Sequence, residues 1–135
     1  MIQGLSHITF IVSDLDKMED LLVSILDAEK VYDSGDDTFS VSKERFFLIG
    51  ELWIATMEGE ALPDKTYNHV AFKIDNADFD MYLKRIQTLG LQLREGRSRV
   101  EGEGQSIYFY DDDNHMFELH AGTLDVRLKR YENSP

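Results

Sequence analysis

Two stretches, Ser6-His7-Ile8-Thr9-Phe10-Ile11-Val12 and Asn68-His69-Val70-Ala71-Phe72-Lys73-Ile74, decide how this chain is to be read. Each alternates apolar and polar residues with a period of two, as a half-buried β-strand does. Ile8, Phe10 and Val12 share one face and His7 and Thr9 the other. Val70, Phe72 and Ile74 share a face, with His69 opposite. A third stretch, Met116-Phe117-Glu118-Leu119-His120, does the same, with Phe117 and Leu119 on one side and Glu118 and His120 on the other. The apolar faces call for a core, and the opposite faces carry metal-capable side chains.

The stretches after the first two are also alike. After the first, Asp14 and Asp16 offer N-cap chemistry to a helix whose apolar stripe is Leu15, Met18, Leu21, Leu22, Ile25 and Leu26. Asp33 to Asp37 reads as a turn, and Thr38–Val41, Arg45–Ile49 and Leu52–Met57 as short strands, the last two joined by Gly50-Glu51. Glu58 to Lys65, with Pro63, reads as a connector. After the second, Asn76 and Asp78 can cap a helix with the stripe Phe79, Tyr82, Leu83, Ile86 and Leu89, stopped by Gly90. Leu91–Arg94 is a candidate strand and Gly96–Gln105 a polar loop. Ser106–Tyr110 and His115–His120 are strands around the turn Asp111–Asn114. Thr123 can cap a last helix.

An offset of 62 superposes His7 on His69, Phe10 on Phe72, Val12 on Ile74, Leu21 on Leu83, and Thr56 on Glu118. The expected fold class is therefore α+β. Two βαβββ modules, about 1–58 and 66–122, are followed by a C-terminal helix over about 123–132, all within one domain of 135 residues. Pseudo-twofold pairing of the modules would give a cupped, largely antiparallel sheet with helices outside. His7, Thr56, His69 and Glu118 would then face inward, and three of these four can bind a metal. Three protein ligands leave coordination positions open, as a catalytic site requires. Two imidazoles and a carboxylate suit Mn, Fe, Ni or Zn, and the residue types do not choose among them.

Bulk properties narrow the functional classes. The formal charge is −12, which disfavours nucleic acid and anionic membranes as partners. The absence of cysteine excludes disulfides, thiolate ligands and a cysteine nucleophile. No signal-peptide pattern and no membrane-length apolar run is present, and a cytoplasmic protein is expected.

The paired halves with His7, His69 and Glu118 resemble the vicinal-oxygen-chelate (glyoxalase/bleomycin resistance/dioxygenase) superfamily. Gly4-Leu5-Ser6-His7-Ile8-Thr9, Thr66-Tyr67-Asn68-His69-Val70-Ala71-Phe72, Glu103 to Tyr110, and Asp113 to Leu124 running on to Arg127-Leu128 more specifically resemble the fosfomycin resistance enzymes. Within these the chain is similar to the FosX type, a Mn-dependent hydrolase that opens the fosfomycin epoxide with water. Glu44 falls where that family carries its general base, and the loop Arg97–Gly104 departs from the potassium-binding loop of the glutathione-using type.

The resemblance implies Mn²⁺ held by His7, His69 and Glu118, with Glu44 as catalytic base. It implies a phosphonate site drawn from Thr9, Tyr67, Arg94, Ser106, Tyr108 and Arg127. It also implies a homodimer whose sites take His7 from one subunit and His69 with Glu118 from the other. The competing functions are a fosfomycin thiol transferase or another metal-dependent enzyme of the superfamily, and a non-enzymatic antibiotic-binding protein. His120, on Glu118's face, is a candidate neighbour of the metal ligands rather than a ligand. The run Asp111-Asp112-Asp113 is expected to be a solvated turn.

Overall fold

A computed structural model describes residues 1–94 and 104–133. The chain divides into two compact units, Met1–Leu62 and Pro63–Pro135, each built on its own four-stranded sheet. Most of the loop expected over 96–105, including Arg97, lies outside the described residues.

The first unit runs β1 (His7–Val12), α1 (Leu15–Ser24), β2 (Glu29–Asp33), β3 (Glu44–Ile49) and β4 (Leu52–Glu58), in the sheet order β1-β4-β3-β2. The β1/β4 pair is parallel and the others antiparallel. Helix α1 starts where Asp14 accepts hydrogen bonds from the N–H groups of Asp16 and Lys17. These are two of the donors a helix start leaves unpaired. The expected stripe of α1 is buried in full, from Leu15 to Leu26. Each such large apolar side chain contributes about 1.5–3 kcal/mol on leaving water. Between β3 and β4 the chain turns at Gly50, whose φ of 59° favours glycine.

One strand is not where the alternation put it. Thr38–Val41 forms no strand, and Phe39 and Val41 are exposed. The strand is β2 instead, an edge strand whose charged residues and bulge between Lys30 and Tyr32 hide the period-two pattern.

The second unit repeats the order with β5 (His69–Lys73), a 3₁₀ turn (Asn76–Asp78), α2 (Phe79–Leu89), β6 (Leu93–Arg94), β7 (Gln105–Tyr110) and β8 (Met116–Ala121). The sheet order β5-β8-β7-β6 matches the first, again with a parallel β5/β8 pair. Helix α3 (Leu124–Glu132) follows, capped as expected by Thr123, whose hydroxyl accepts from the Val126 N–H. Helix α2 is entered differently from its counterpart. Asp78 makes no side-chain cap, and the 3₁₀ turn leads into the helix through the Asp78 N–H to Asp75 C=O bond. Gly90 ends α2 at φ 74°.

The two units match strand for strand, but the offset of 62 does not hold throughout. In the first unit Thr9 pairs with Ala55, and in the second Ala71 pairs with Glu118. The residue equivalent to Glu118 is therefore Ala55, not Thr56. Thr56 lies on the opposite face of β4, fully buried, with its hydroxyl donating to the Arg45 carbonyl. One residue of length difference between the strand-to-strand connections moves every side chain of β4 to the other face.

Arg45, on that same face, holds the first unit together electrostatically. Its guanidinium reaches Asp16 at 2.8 Å and Glu19 at 3.0 Å on α1, and Asp33 at 3.2 Å on β2. Burial works against the Arg45 charge, but the hydrogen bond to Asp16 and the fields of Asp33, Asp16 and Glu19 outweigh it, so its pKa is raised. The Gly35 N–H bond, helped by Arg45 and Lys30, holds the Asp33 carboxyl below its ordinary value despite the opposing effect of burial. A lowered carboxyl pKa stabilises the fold above the unfolded value, and that contribution fades as pH falls through the folded one. Arg45→Ala should cost on the order of 1–2 kcal/mol at neutral pH, read as a lower denaturant midpoint, because three carboxylates lose their cation in a partly screened site. The difference from the parent protein should shrink as pH falls through the lowered Asp33 value and that carboxyl protonates.

Candidate metal and phosphonate site

The pairing registers decide which side chains share a face. In the second unit, His69 lies opposite Met116, Ala71 opposite Glu118, Tyr108 opposite Glu118, Ser106 opposite His120, and Arg94 opposite Tyr108. All of these project from the face away from the Phe117–Leu119 core side. The neighbouring core side is packed with Ile107, Phe109, Phe117 and Leu119, each nearly or fully buried. The polar face is thus carried on a rigid sheet.

On that face His69 and Glu118 meet. His69 Nε2 is 2.9 Å from Glu118 Oε1. The other ring nitrogen, Nδ1, is 2.6 Å from the Tyr67 carbonyl oxygen. A carbonyl only accepts, so Nδ1 carries a hydrogen, and in the neutral ring Nε2 presents a lone pair. Two acceptors then face each other at hydrogen-bond distance. A proton or a cation between them makes that contact favourable. Metal-bound histidines commonly donate their second N–H to a backbone carbonyl, as His69 does. Two cis ligands at about 2.1 Å from an ion, at a right angle, are about 3.0 Å apart. The donor pair fits a divalent metal in both chemistry and spacing. Among the described residues no three His, Asp or Glu side chains cluster tightly enough to hold an ion by themselves.

Donors for an anion lie beside this pair. The Arg94 guanidinium sits 4.6 Å from the Tyr67 ring centroid, and the Tyr67 hydroxyl is 3.4 Å from that of Tyr108. The His69 ring lies 4.9 Å from Tyr67 and 5.8 Å from Tyr108. On the other side, Ser106 Oγ contacts Glu118 Oε2 at 2.6 Å and His120 Nδ1 at 2.7 Å, and Arg127 Nη2 approaches His120 Nε2 at 3.4 Å. A cavity of about 320 Å³ opens here, lined by His69, Glu118, His120 and Arg127 among others. The expected residues of this unit are therefore joined in one run of contacts from Arg94 to Arg127.

The expected residues of the first unit also share a face. His7 pairs with Trp53, Thr9 with Ala55, Glu44 with Met57 and Phe46 with Ala55. His7, Thr9 and Glu44 therefore project to one side, away from Arg45 and α1. His7 stacks on Trp53 at 4.2 Å, and its Nδ1 is 3.0 Å from Ser6 Oγ. Glu44 is buried, with only 7% of its surface exposed, unlike the solvated side chain that its neighbours Lys43 and Arg45 suggest. Its backbone is clamped. The Ser34 N–H donates to the Glu44 carbonyl at 3.0 Å, and the Glu44 N–H donates to Ser34 Oγ at 2.9 Å.

Some features fall outside what the sequence indicated. Trp53 is marked by alternation on β4 and by pairing with His7, yet nothing in its residue type suggests a place beside a ligand. The Asp111–Asp113 run forms the expected turn, but only Asp112 in it is exposed to solvent. Asp113 is buried, and Asp111 accepts from the N–H groups of Asp113 and His115 and meets the His115 ring at 2.7 Å. A second cavity, of about 400 Å³ in the first unit, is lined by Asp14, Asp33, Asp36, Lys43 and Arg45. It is the outer rim of the Arg45 ion-pair network.

The chain is similar to known proteins over nearly its whole length. Residues 4–119 match the Glyoxalase/Bleomycin resistance protein/Dioxygenase superfamily. The chain is 63% identical over 131 residues to the fosfomycin resistance protein FosX of Listeria innocua, covering 97% of this chain and 98% of that one. It is 35% identical over 136 residues to the metallothiol transferase FosB of Staphylococcus saprophyticus, covering 98% and 85%. A crystal structure of a mutant of FosX from Listeria monocytogenes, complexed with Mn(II) and 1S,2S-dihydroxypropylphosphonic acid, is similar at a TM-score of 0.89 and 56% identity, over 97% of this chain and 99% of that one. This chain belongs to the Glyoxalase/Bleomycin resistance protein/Dioxygenase superfamily and, within it, to the FosX fosfomycin resistance proteins.

Proposed function

We propose that this protein is a Mn²⁺-dependent epoxide hydrolase that converts fosfomycin to its inactive diol and so confers resistance to the antibiotic. The observation that carries this reading is the balance of likenesses. Identity to FosX proteins is 61–63% over nearly the whole chain, against 33–37% to metallothiol transferases. A FosX relative was crystallised with Mn(II) and a dihydroxypropylphosphonic acid, the diol that water addition to fosfomycin yields.

The ligands proposed for the metal are His69, Glu118 and His7, the last supplied by the second subunit of a homodimer. When bound, Mn²⁺ supplies Lewis acidity that lowers the cost of charge on the epoxide oxygen. The rest falls to the side chains. The phosphonate carries negative charge and takes charge-assisted hydrogen bonds from Arg94 and Arg127, with Thr9, Tyr67 and Tyr108 as hydroxyl donors; Ser106, the fourth hydroxyl expected there from the sequence, lies 2.6 Å from Glu118 Oε2 instead. The cation–π stacking of Arg94 on Tyr67 supports this by holding a flexible side chain in place. Glu44 removes a proton from water as the water oxygen bonds to a ring carbon and the carbon–oxygen bond of the ring breaks. The freed alkoxide takes a proton, and the Tyr108 hydroxyl is the proposed donor, supported by its pairing opposite Glu118 on the same sheet face. Burial of Glu44 and the Ser34 clamp on its backbone favour this role, since a base must be held in place.

With Mn²⁺ and fosfomycin but no thiol, phosphorus NMR should show diol accumulating. Glu44→Gly should lower the rate by roughly 10²–10⁴-fold while Mn²⁺ still binds. Turnover only after glutathione or another thiol is added would make the protein a transferase, and tight drug binding with no product would make it a sequestering protein. The shared site has its own test. His7→Ala and Glu118→Gln variants should each be inactive, and mixing them with subunit exchange should recover about a quarter of wild-type activity, because each mixed dimer keeps one intact site. Mixed dimers without activity would place the three ligands within one chain.

A further inference from the structure

Ser106 and His120 both lie against one oxygen of Glu118, with Arg127 on the far side of the His120 ring, and the donor chemistry of each group gives the direction of the bonds among them. Guanidinium nitrogens only donate, so His120 Nε2, at 3.4 Å from Arg127 Nη2, is the acceptor. A neutral imidazole that accepts at Nε2 carries its hydrogen on Nδ1. Ser106 has a single hydrogen. Its oxygen is 2.6 Å from Glu118 Oε2, which only accepts, and 2.7 Å from His120 Nδ1, which donates. The hydroxyl hydrogen therefore goes to Glu118, and Ser106 Oγ accepts from His120. The bonds run one way, from Arg127 through His120 and Ser106 to Glu118 Oε2, with His120 Nδ1 also 3.3 Å from that oxygen.

We infer that Ser106 and His120 are positioning residues that pin Glu118 by Oε2 and so aim Oε1 at the metal, and that Ser106 is not a donor to the phosphonate. This rests on the reading of Glu118 as a metal ligand. A carboxylate held at one oxygen cannot swing to bidentate coordination, and it keeps Oε1 in its place 2.9 Å from His69 Nε2. The only hydrogen Ser106 owns is already committed to a charged acceptor, so giving it to the phosphonate would break the shortest bond of the network. Strand pairing supports the pinning, because Ser106 and Tyr108 on β7 lie opposite His120 and Glu118 on β8. Glu118 and His120 are both largely shielded from water, where a fixed hydrogen bond is worth more.

The test is Mn²⁺ affinity, read from the electron paramagnetic resonance of free Mn²⁺, together with the fosfomycin KM at saturating metal. Ser106→Ala and His120→Ala should each weaken Mn²⁺ binding roughly 10–100-fold. Ser106→Thr, which keeps the hydroxyl, and His120→Asn, whose amide N–H stands near the place of Nδ1–H, should restore most of it. At saturating Mn²⁺ the KM of Ser106→Ala should stay within about twofold of the parent, since no uniform substrate contact is lost. Unchanged Mn²⁺ affinity in Ser106→Ala, with KM raised about tenfold or more, would return Ser106 to the phosphonate and overturn the inference. Glu118→Gln separates the two levels. If it loses Mn²⁺ while Ser106→Ala and His120→Ala do not, the ligand assignment stands and the pinning falls. If it binds Mn²⁺ like the parent, the ligand assignment itself falls. Should His120→Ala fail to fold, Ser106→Ala, a deletion of one oxygen, decides between the two outcomes.

Discussion

Two hydrogen-bond acceptors, His69 Nε2 and Glu118 Oε1, stand 2.9 Å apart with the ring already donating from its other nitrogen. A positive charge between them is what makes the arrangement stable, and much of the second unit serves to keep it in place. The sheet sets the spacing, because β5 and β8 run parallel in a register that brings Ala71 against Glu118 and so sets His69 two residues back along the same face. The Tyr67 carbonyl fixes the ring on one side, and Ser106 and His120 hold the carboxylate on the other. Behind the sheet, Phe109 and Phe117 stack at 5.4 Å, both fully buried, so the supporting layer cannot easily shift.

The repeated βαβββ order shows how such a site arises from a fold that has no need of it. Each unit presents one polar sheet face, and the same topology carries different residues there. In the second unit that face holds a metal-capable pair; in the first, the position equivalent to Glu118 is Ala55, and the face holds His7, Thr9, Trp53 and Glu44 instead. Division of labour follows, with donors for cation and anion concentrated in one unit and a buried carboxylate in the other. Glu44 is separated from Arg45 by a single residue step, and strand alternation sends the two to opposite faces. Arg45 joins an ion-pair network against α1, while Glu44 projects from the other face of the sheet.

Much of this is legible in the chain, and the failures have physical causes. The strand carrying Glu118 is buried on both faces, and there only the residue types alternate; the strands carrying His7 and His69 alternate in burial as in residue type, so the elements and the facing of those residues can be read. The α1 stripe is readable for the same reason. Edge strand β2 is not, because an edge whose side chains are nearly all exposed and mostly charged has little hydrophobic pattern to show. A constant offset misplaces Thr56 because it ignores a one-residue difference in connection length, and on a strand a single residue reverses the facing. The tie between Ser106, His120 and Glu118 depends on hydroxyl and ring orientations, which no period in a sequence records. Glu44 resembles a surface charge among charges, and only its 7% exposure distinguishes it.

Anomalous diffraction from crystals grown with Mn²⁺, recorded near the manganese absorption edge, tests the metal-bridged pair most directly. The expected result is a single strong peak about 2.2 Å from both His69 Nε2 and Glu118 Oε1, with Ser106 Oγ still on Glu118 Oε2. A peak at other side chains, or His69 and Glu118 in direct contact with no ion between them at saturating Mn²⁺, would contradict it.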